Sequence, residues 1–146
     1  DTSQKEALER GNLIHLLMSK IYTKLDVKTT LNTFYKAGTI SLAQSQELSN
    51  TIDAIVSHPL LSPYYSSDVV VYNEREIIYD QQIVIPDRLV FDHENKVTII
   101  DYKTGISKEE HRFQLENYAR VLESLKYTVL KKVLVYSNET VSVEEF

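Results

Sequence analysis

The sequence predicts one α/β domain of the α+β kind, with its elements in the order helices, three strands, helix and two closing strands. Three observations carry that prediction. Apolar residues recur at helical spacing through the first third of the chain. Two runs rich in Val, Ile, Phe and Tyr, Gln82 to Phe91 and Lys96 to Tyr102, are separated only by the turn-forming Asp92-His93-Glu94-Asn95. After Gly105 a second helical pattern leads into two further β-type runs.

Taken in order, Ser3-x-x-Glu6 has the form of a capping box and predicts the first helix start. Ile14, Leu17, Met18, Ile21 and Leu25 then form an apolar stripe suited to packing on a sheet. Gly11 interrupts this helix at a cost of about 1 kcal/mol relative to alanine, which points to close approach of another group. Gly11 and His15, four apart, share a side. Thr29 to His58 continues as helix, broken near Gly38 with Ser41 as the cap of the second part and His58-Pro59 as its end. Leu60 to Asp68 reads as a loop whose tyrosines pack rather than stack on bases. Asp68 to Tyr79 reads as a strand with Glu74 and Glu76 on one face. Gln82 to Phe91 and Lys96 to Tyr102 are then antiparallel neighbours. Ser107-x-x-Glu110 starts a helix to about Lys126, with Leu115, Ala119, Leu122 and Leu125 buried and Gln114 beside Tyr118. Tyr127 to Tyr136 and Val141 to Phe146 finish the sheet around Ser137-Asn138-Glu139-Thr140.

Composition narrows the function. With 146 residues, 42% hydrophobic and 25% charged, the chain can build one domain with a real core, expected to span 1–146. No run of about 18 apolar residues could cross a bilayer and nothing reads as a signal peptide, so a cytoplasmic protein without membrane contact is expected. The start at Asp1 rather than Met reads as a piece of a longer polypeptide. The absence of cysteine excludes disulfides, cysteine-bound zinc, a cysteine nucleophile and a cysteine-ligated iron–sulfur cluster. A net charge of −5 weighs against strong stand-alone binding to nucleic acid, since phosphate affinity comes largely from basic residues.

The chemistry concentrates between Ile85 and Gly105. Alternation along the second of these strands puts Asp101 and Lys103 on one face. Asp87, at the start of its neighbour, brings a second carboxylate. Two carboxylates and an ammonium at one strand end are costly to desolvate unless they pair or hold a cation, and a divalent metal would resolve the repulsion between Asp87 and Asp101.

Pro86-Asp87 followed by a hairpin and Asp101-Tyr102-Lys103 resembles the signature of the PD-(D/E)XK nuclease superfamily, and Asp-Tyr-Lys-Thr-Gly is similar to the form found in its RecB-like branch. Gly11-x-x-x-His15 upstream and Gln114-x-x-x-Tyr118 downstream are similar to the first and closing motifs of that branch. The resemblance runs from Gly11 to Tyr136 and implies a restriction-endonuclease-like core, a central mixed sheet flanked by helices in αβββαβ order. It also implies a site glutamate on the strand before Pro-Asp, taken as Glu74 with Glu76 as the substitute.

What the resemblance implies chemically is hydrolysis of a DNA phosphodiester by a metal-activated water. Asp87, Asp101, the backbone carbonyl of Tyr102 and His15 would hold Mg²⁺. Because imidazole suits Mn²⁺ better, Mn²⁺ is expected to substitute. Lys103 would position the water and offset phosphate charge. Gln114 and Tyr118 would orient substrate or Lys103, while Asn117 and Arg120 flank them within reach of phosphates. His58, His93 and His111 fall outside every motif and read as helix-end or solvated residues. The implied partners are DNA, in particular single-stranded ends, and a UvrD/Rep-type helicase domain of the same polypeptide or complex, in DNA repair or recombination. A catalytically silent DNA-binding or scaffolding domain is the alternative. An autonomous restriction or resolvase-type enzyme is disfavoured by the two flanking motifs.

Overall fold

The computed structural model describes residues 2–146. Three helices come first: α1 (Thr2–Met18), α2 (Asp26–Lys36) and α3 (Leu42–Val56), then a 3-10 turn (Ser62–Tyr65). Strands β1 (Val70–Asn73), β2 (Ile77–Tyr79), β3 (Gln82–Val84), β4 (Arg88–Phe91) and β5 (Lys96–Lys103) precede α4 (Glu109–Ser124), and β6 (Thr128–Ser137) and β7 (Val141–Glu145) close the chain. Five strands form one mixed sheet in the order β1-β4-β5-β6-β7, in which β5 and β6 are parallel and the other pairs antiparallel. The expected α+β fold with a helix-flanked mixed sheet is therefore present. A parallel pair cannot be joined by a tight turn, and α4 supplies the crossover between β5 and β6.

Each face of the sheet has its own core, as strand alternation dictates. Val90, Ile100, Tyr102, Val133 and Val135 point to the side covered by Ile14, Leu17, Met18, Leu48 and Ile52 of α1 and α3. Leu89, Val97, Ile99, Leu134 and Tyr136 point to the other, against Leu115, Tyr118, Ala119 and Leu122 of α4. Among the described residues no helix is long and apolar enough to cross a membrane.

Several boundaries differ from the sequence expectation. Ser3 lies inside α1, which already runs at Thr2, rather than at its cap. Leu25 is not part of the buried stripe: α1 ends at Met18 and Leu25 is 88% exposed just before α2. There Asp26 Oδ2 accepts from the N–H groups of Tyr22 and Thr23, so the second helix begins at Asp26 rather than Thr29. Ser41 does cap α3, in a box closed by Gln44. Ser107 does not cap α4, whose N-cap is Lys108, and Leu125 sits at its C-cap, partly exposed.

The long strands expected at Asp68–Tyr79 and Gln82–Phe91 are each split. Glu74 takes a positive φ of 50°, which ends β1 at Asn73, and β2 and β3 form a separate two-stranded hairpin. Its turn, Asp80-Gln81, has positive φ at both residues, the geometry of a primed turn without the usual Asn-Gly. The shared strand face of Glu74 and Glu76 is therefore absent. β4 and β5 do pair antiparallel across Asp92, whose Oδ1 accepts from the N–H groups of Glu94 and Lys96.

One buried charge joins the layers. Arg88, fully buried on β4, donates to the carbonyls of Ile21, Tyr22 and Tyr64, each at 2.7 Å, and its guanidinium lies 4.1 Å from the ring centre of Tyr65. Asn73 of β1 donates to the carbonyls of Ser19 and Ile21. The turn after α1 and the 3-10 turn are thus fixed to the sheet by the buried Arg88, with half-buried Asn73 adding to the first of them. Replacing Arg88 with methionine leaves three inward carbonyls without this donor, and urea unfolding should show a loss of roughly 3 kcal/mol or more. A loss below about 1 kcal/mol would show that the carbonyls find other partners.

Candidate active site

The site forms where the residue before β4, the last residues of β5, the last turn of α1 and the first turns of α4 meet. Its centre is a reciprocal latch between two carboxylates. The Asp87 N–H donates to Asp101 Oδ1 at 3.0 Å, and the Tyr102 N–H donates to Asp87 Oδ2 at 2.9 Å. Each carboxylate is thereby held by backbone at or beside the other's position, and both are fixed in direction.

His15 reaches this latch from α1. Its Nε2 is 3.0 Å from Asp87 Oδ2, while Nδ1 is 3.2 Å from the Gly11 carbonyl one turn back. The bond to Asp87 raises the imidazole pKa to about 9 against the opposing effect of burial, so His15 carries a proton at neutral pH. On the other side, burial first and the charge of Asp87 second push the Asp101 carboxyl up to about 7. Lys103 Nζ lies 3.7 Å from Asp101 Oδ2 and donates to Gln114 Oε1 at 2.5 Å. Tyr118 is buried below it, hydrogen-bonded to Gln114. Burial, and then the negative charges of Asp101 and Asp87, hold its phenol above the ordinary value, so it keeps its proton.

His15, Asp87, Asp101, Lys103, Gln114 and Tyr118 thus come together as the motifs anticipated. Tyr118 is beside Gln114 as expected, but its ring is buried in the core against the sheet. Glu74 is linked to the site only through its backbone N–H, which donates to the Asp87 carbonyl at 3.0 Å; its side chain is exposed, as is that of Glu76. Among the described residues no group of three or more His, Asp or Glu side chains stands ready-made to hold an ion. The donor set nevertheless fits a divalent cation. It offers two carboxylates whose repulsion raises one of them, while His15, protonated and paired with Asp87, would have to release its proton to join them.

Several supporting side-chain contacts were not anticipated. The Tyr102 side chain, rather than only its backbone, is engaged: its hydroxyl is 2.6 Å from that of buried Tyr65, and its ring meets His15 edge-on at 6.2 Å. Burial raises both phenols, so the pair stays neutral. Asn138 receives the Gly105 N–H at 2.8 Å and donates to the Gly105 carbonyl at 2.9 Å, clamping the segment after Lys103. Arg10 ties α1 to the end of β6 through the Ser137 carbonyl at 2.6 Å and to α3 through Glu47 and Thr51. His111 is not simply solvated, since its Nδ1 is 2.8 Å from Tyr136 Oη. A lone arginine in an apolar strand and a histidine one turn before Gln114 were the signals available for Arg88 and His111. A wide groove of about 1050 Å³ between α2 and α3 shares no lining residue with the site.

Known proteins match the chain along most of its length. A family model described as the PD-(D/E)XK nuclease superfamily matches residues 1–144. The chain is 23% identical to an ATP-dependent helicase/nuclease subunit of Clostridioides difficile (strain 630), over 88% of its own length and 13% of that protein's. A solved structure described as "Crystal structure of SSO0001" superposes with a TM-score of 0.38 at 18% identity, covering 90% of this chain and 65% of the other.

Gly11 explains how α1 comes so near the Lys103 end of β5. A Cβ built there would stand 3.2 Å from Thr104 Oγ1 and 3.3 Å from its Cγ2, tighter than ordinary contact. Gly11→Ala alone should therefore fall short of the roughly 1 kcal/mol that alanine gains within a helix. In a Thr104→Ala background the same change should recover most of it. Equal effects in the two backgrounds, measured by thermal unfolding, would show that Thr104 turns aside without cost.

Proposed function

Since the chain belongs to the PD-(D/E)XK nuclease superfamily, we propose that it hydrolyses DNA phosphodiester bonds with a divalent cation, as the RecB-like nuclease domain of a larger helicase-nuclease acting in DNA repair or recombination. The observation that carries this reading is the carboxylate latch with Lys103 beside it. Asp87 and Asp101 are fixed by backbone N–H groups at the edge of a buried, mutually repelling pair, and the lysine is aimed by Gln114 rather than left mobile. The 13% share of the helicase/nuclease relative agrees with a domain that works within a longer polypeptide.

In this reading His15, Asp87, Asp101 and the Tyr102 carbonyl hold the cation. When bound, it supplies Lewis-acid polarisation of the phosphoryl oxygen and a water of lowered pKa. Lys103 offers a compact positive charge to the attacking water and to the phosphate oxygens as their charge grows. Gln114 holds that ammonium in place, and protonated Tyr118 supports Gln114 from below. Glu74, whose backbone N–H donates to the Asp87 carbonyl, is the acidic residue assigned to substrate or water in this reading. Mg²⁺ is the expected ion, with Mn²⁺ as a substitute favoured by the imidazole. Single-stranded ends delivered by a helicase are the expected substrate.

A second reading, a catalytically silent DNA-binding or scaffolding domain, draws on one observation: His15 and Asp87 already satisfy each other at 3.0 Å. The experiment that separates the two is incubation of end-labelled single-stranded and duplex DNA with the chain in Mg²⁺, Mn²⁺ or EDTA. Metal-dependent products should appear and fall by about 100-fold or more in Asp101→Ala and Lys103→Ala. Mn²⁺ should support at least the rate seen with Mg²⁺, and Mn²⁺ proving inert would remove His15 from the ligand set. Failure to bind either metal in a calorimetric titration, together with no products, would give the second reading the lead.

A further inference from the structure

His111 stands beside the site, and the hydrolysis proposed above makes no use of it. It lies in the first turn of α4, one turn before the Gln114 that holds Lys103, so the two side chains emerge on one side of the helix. The sheet brings His111 to the same place. Lys103 of β5 and Tyr136 of β6 are partners in the parallel register and point to one face, and Tyr136 Oη lies 2.8 Å from His111 Nδ1. Lys103 and His111 are thus held side by side, one by Gln114 and the other by Tyr136.

The contact to Tyr136 also decides where the imidazole carries its proton. Tyr136 is buried, and among the described residues His111 is the hydrogen-bond partner of its hydroxyl. Were Nδ1–H to donate to that oxygen, the phenolic proton would be left inside the protein with no acceptor. The hydroxyl therefore donates to Nδ1, and the proton of the neutral ring sits on Nε2. Burial first, and then the charge of Lys103, hold the imidazole below its ordinary value, so the ring is neutral at neutral pH. His111 is only partly covered, and Nε2–H is left as a donor without a partner among the described residues.

Resting on the nuclease reading above, we propose that His111 is a substrate-binding residue whose Nε2–H donates to a phosphate oxygen of the nucleic-acid strand, alongside Lys103. The charges around the ring select an anion. Lys103 and Lys108 act on it more strongly than Glu110 and Glu144, and Glu144 is further offset by Arg112 at 3.7 Å. A neutral donor suits this position, because a second cation would repel the ammonium that hydrolysis uses.

The test reads the ring directly. Proton–nitrogen correlation spectra of the chain with isotope-labelled histidine, His111 being assigned by its loss in His111→Gln, should show the Nε2–H tautomer, and Tyr136→Phe should give a mixture of both. A short oligothymidylate titrated in EDTA should shift the Nε2 signal. His111→Ala should weaken binding of that strand about three- to tenfold, the worth of one neutral hydrogen bond, and His111→Gln, which keeps an amide N–H there, should restore most of it. In Mn²⁺ the alanine change should raise KM by the same factor and leave kcat within about twofold, as for a contact made equally in ground and transition states. If His111 only ties α4 to the sheet, His111→Ala lowers the unfolding midpoint and leaves affinity unchanged, which overturns the proposal. So would the Nδ1–H tautomer in the wild type, an Nε2 signal that stays in place, or an equal response to inorganic phosphate at the same concentration. Cleavage with an unresponsive His111 leaves the nuclease reading standing; a responsive His111 without cleavage keeps the contact and sinks hydrolysis.

Discussion

The guanidinium of Arg88 is the constraint on which the rest of the molecule depends. It is a fully buried charge with no carboxylate paired to it among the described residues, its terminal nitrogens satisfied instead by the carbonyls of two separate turns and its plane by the face of Tyr65. Burying a charge this way is tolerable only if those acceptors are in place, because each missing bond leaves a desolvated donor. Arg88 therefore fixes the turn after α1 and the 3-10 turn together or not at all. It also fixes Asp87, the preceding residue.

From that anchor the site follows as a junction between two faces of one sheet. His15 comes from the α1 side, Lys103, Gln114 and Tyr118 from the α4 side, and Asp87 joins them at the strand end. The aromatic pair Tyr65–Tyr102 carries the Arg88 anchor on to the His15 ring. On the opposite flank Asn138, Ser137 and Arg10 hold the segment after Lys103 against α1. Charge placement at the centre is thus a product of packing at the periphery.

The sequence made part of this legible. Motif spacing singled out Asp87, Asp101, Lys103, His15, Gln114 and Tyr118, and the fold brings these six side chains to one place. Alternation correctly assigned Asp101 and Lys103 to one face, since the register of β5 against β6 is unbroken from Thr98 to Lys103. The same rule failed at Glu74 and Glu76, where a left-handed residue turns the chain and no glycine announces it. Capping signals succeeded at Ser41 and fell one residue short of the N-cap at Ser107, which shows how far a three-residue pattern depends on what surrounds it. Arg88, Asn138 and Tyr65 escaped notice because their partners are distant in the chain, and no local pattern encodes a bond to an atom dozens of residues away.

That distance has a kinetic side. The bonds from Arg88 to Ile21 and Tyr22 bridge 67 and 66 residues, whereas β4 and β5 are joined by a four-residue turn and β5 reaches β6 through one helix. Long closures lose more chain entropy before any contact repays it, so the β4–β5–α4–β6 unit is the natural folding nucleus and α1 docks on it late. A molecule caught between those events carries both aspartates and the lysine on a formed sheet but lacks the histidine. In that order of assembly the carboxylate pair meets its imidazole only once the helical layer has docked on the sheet.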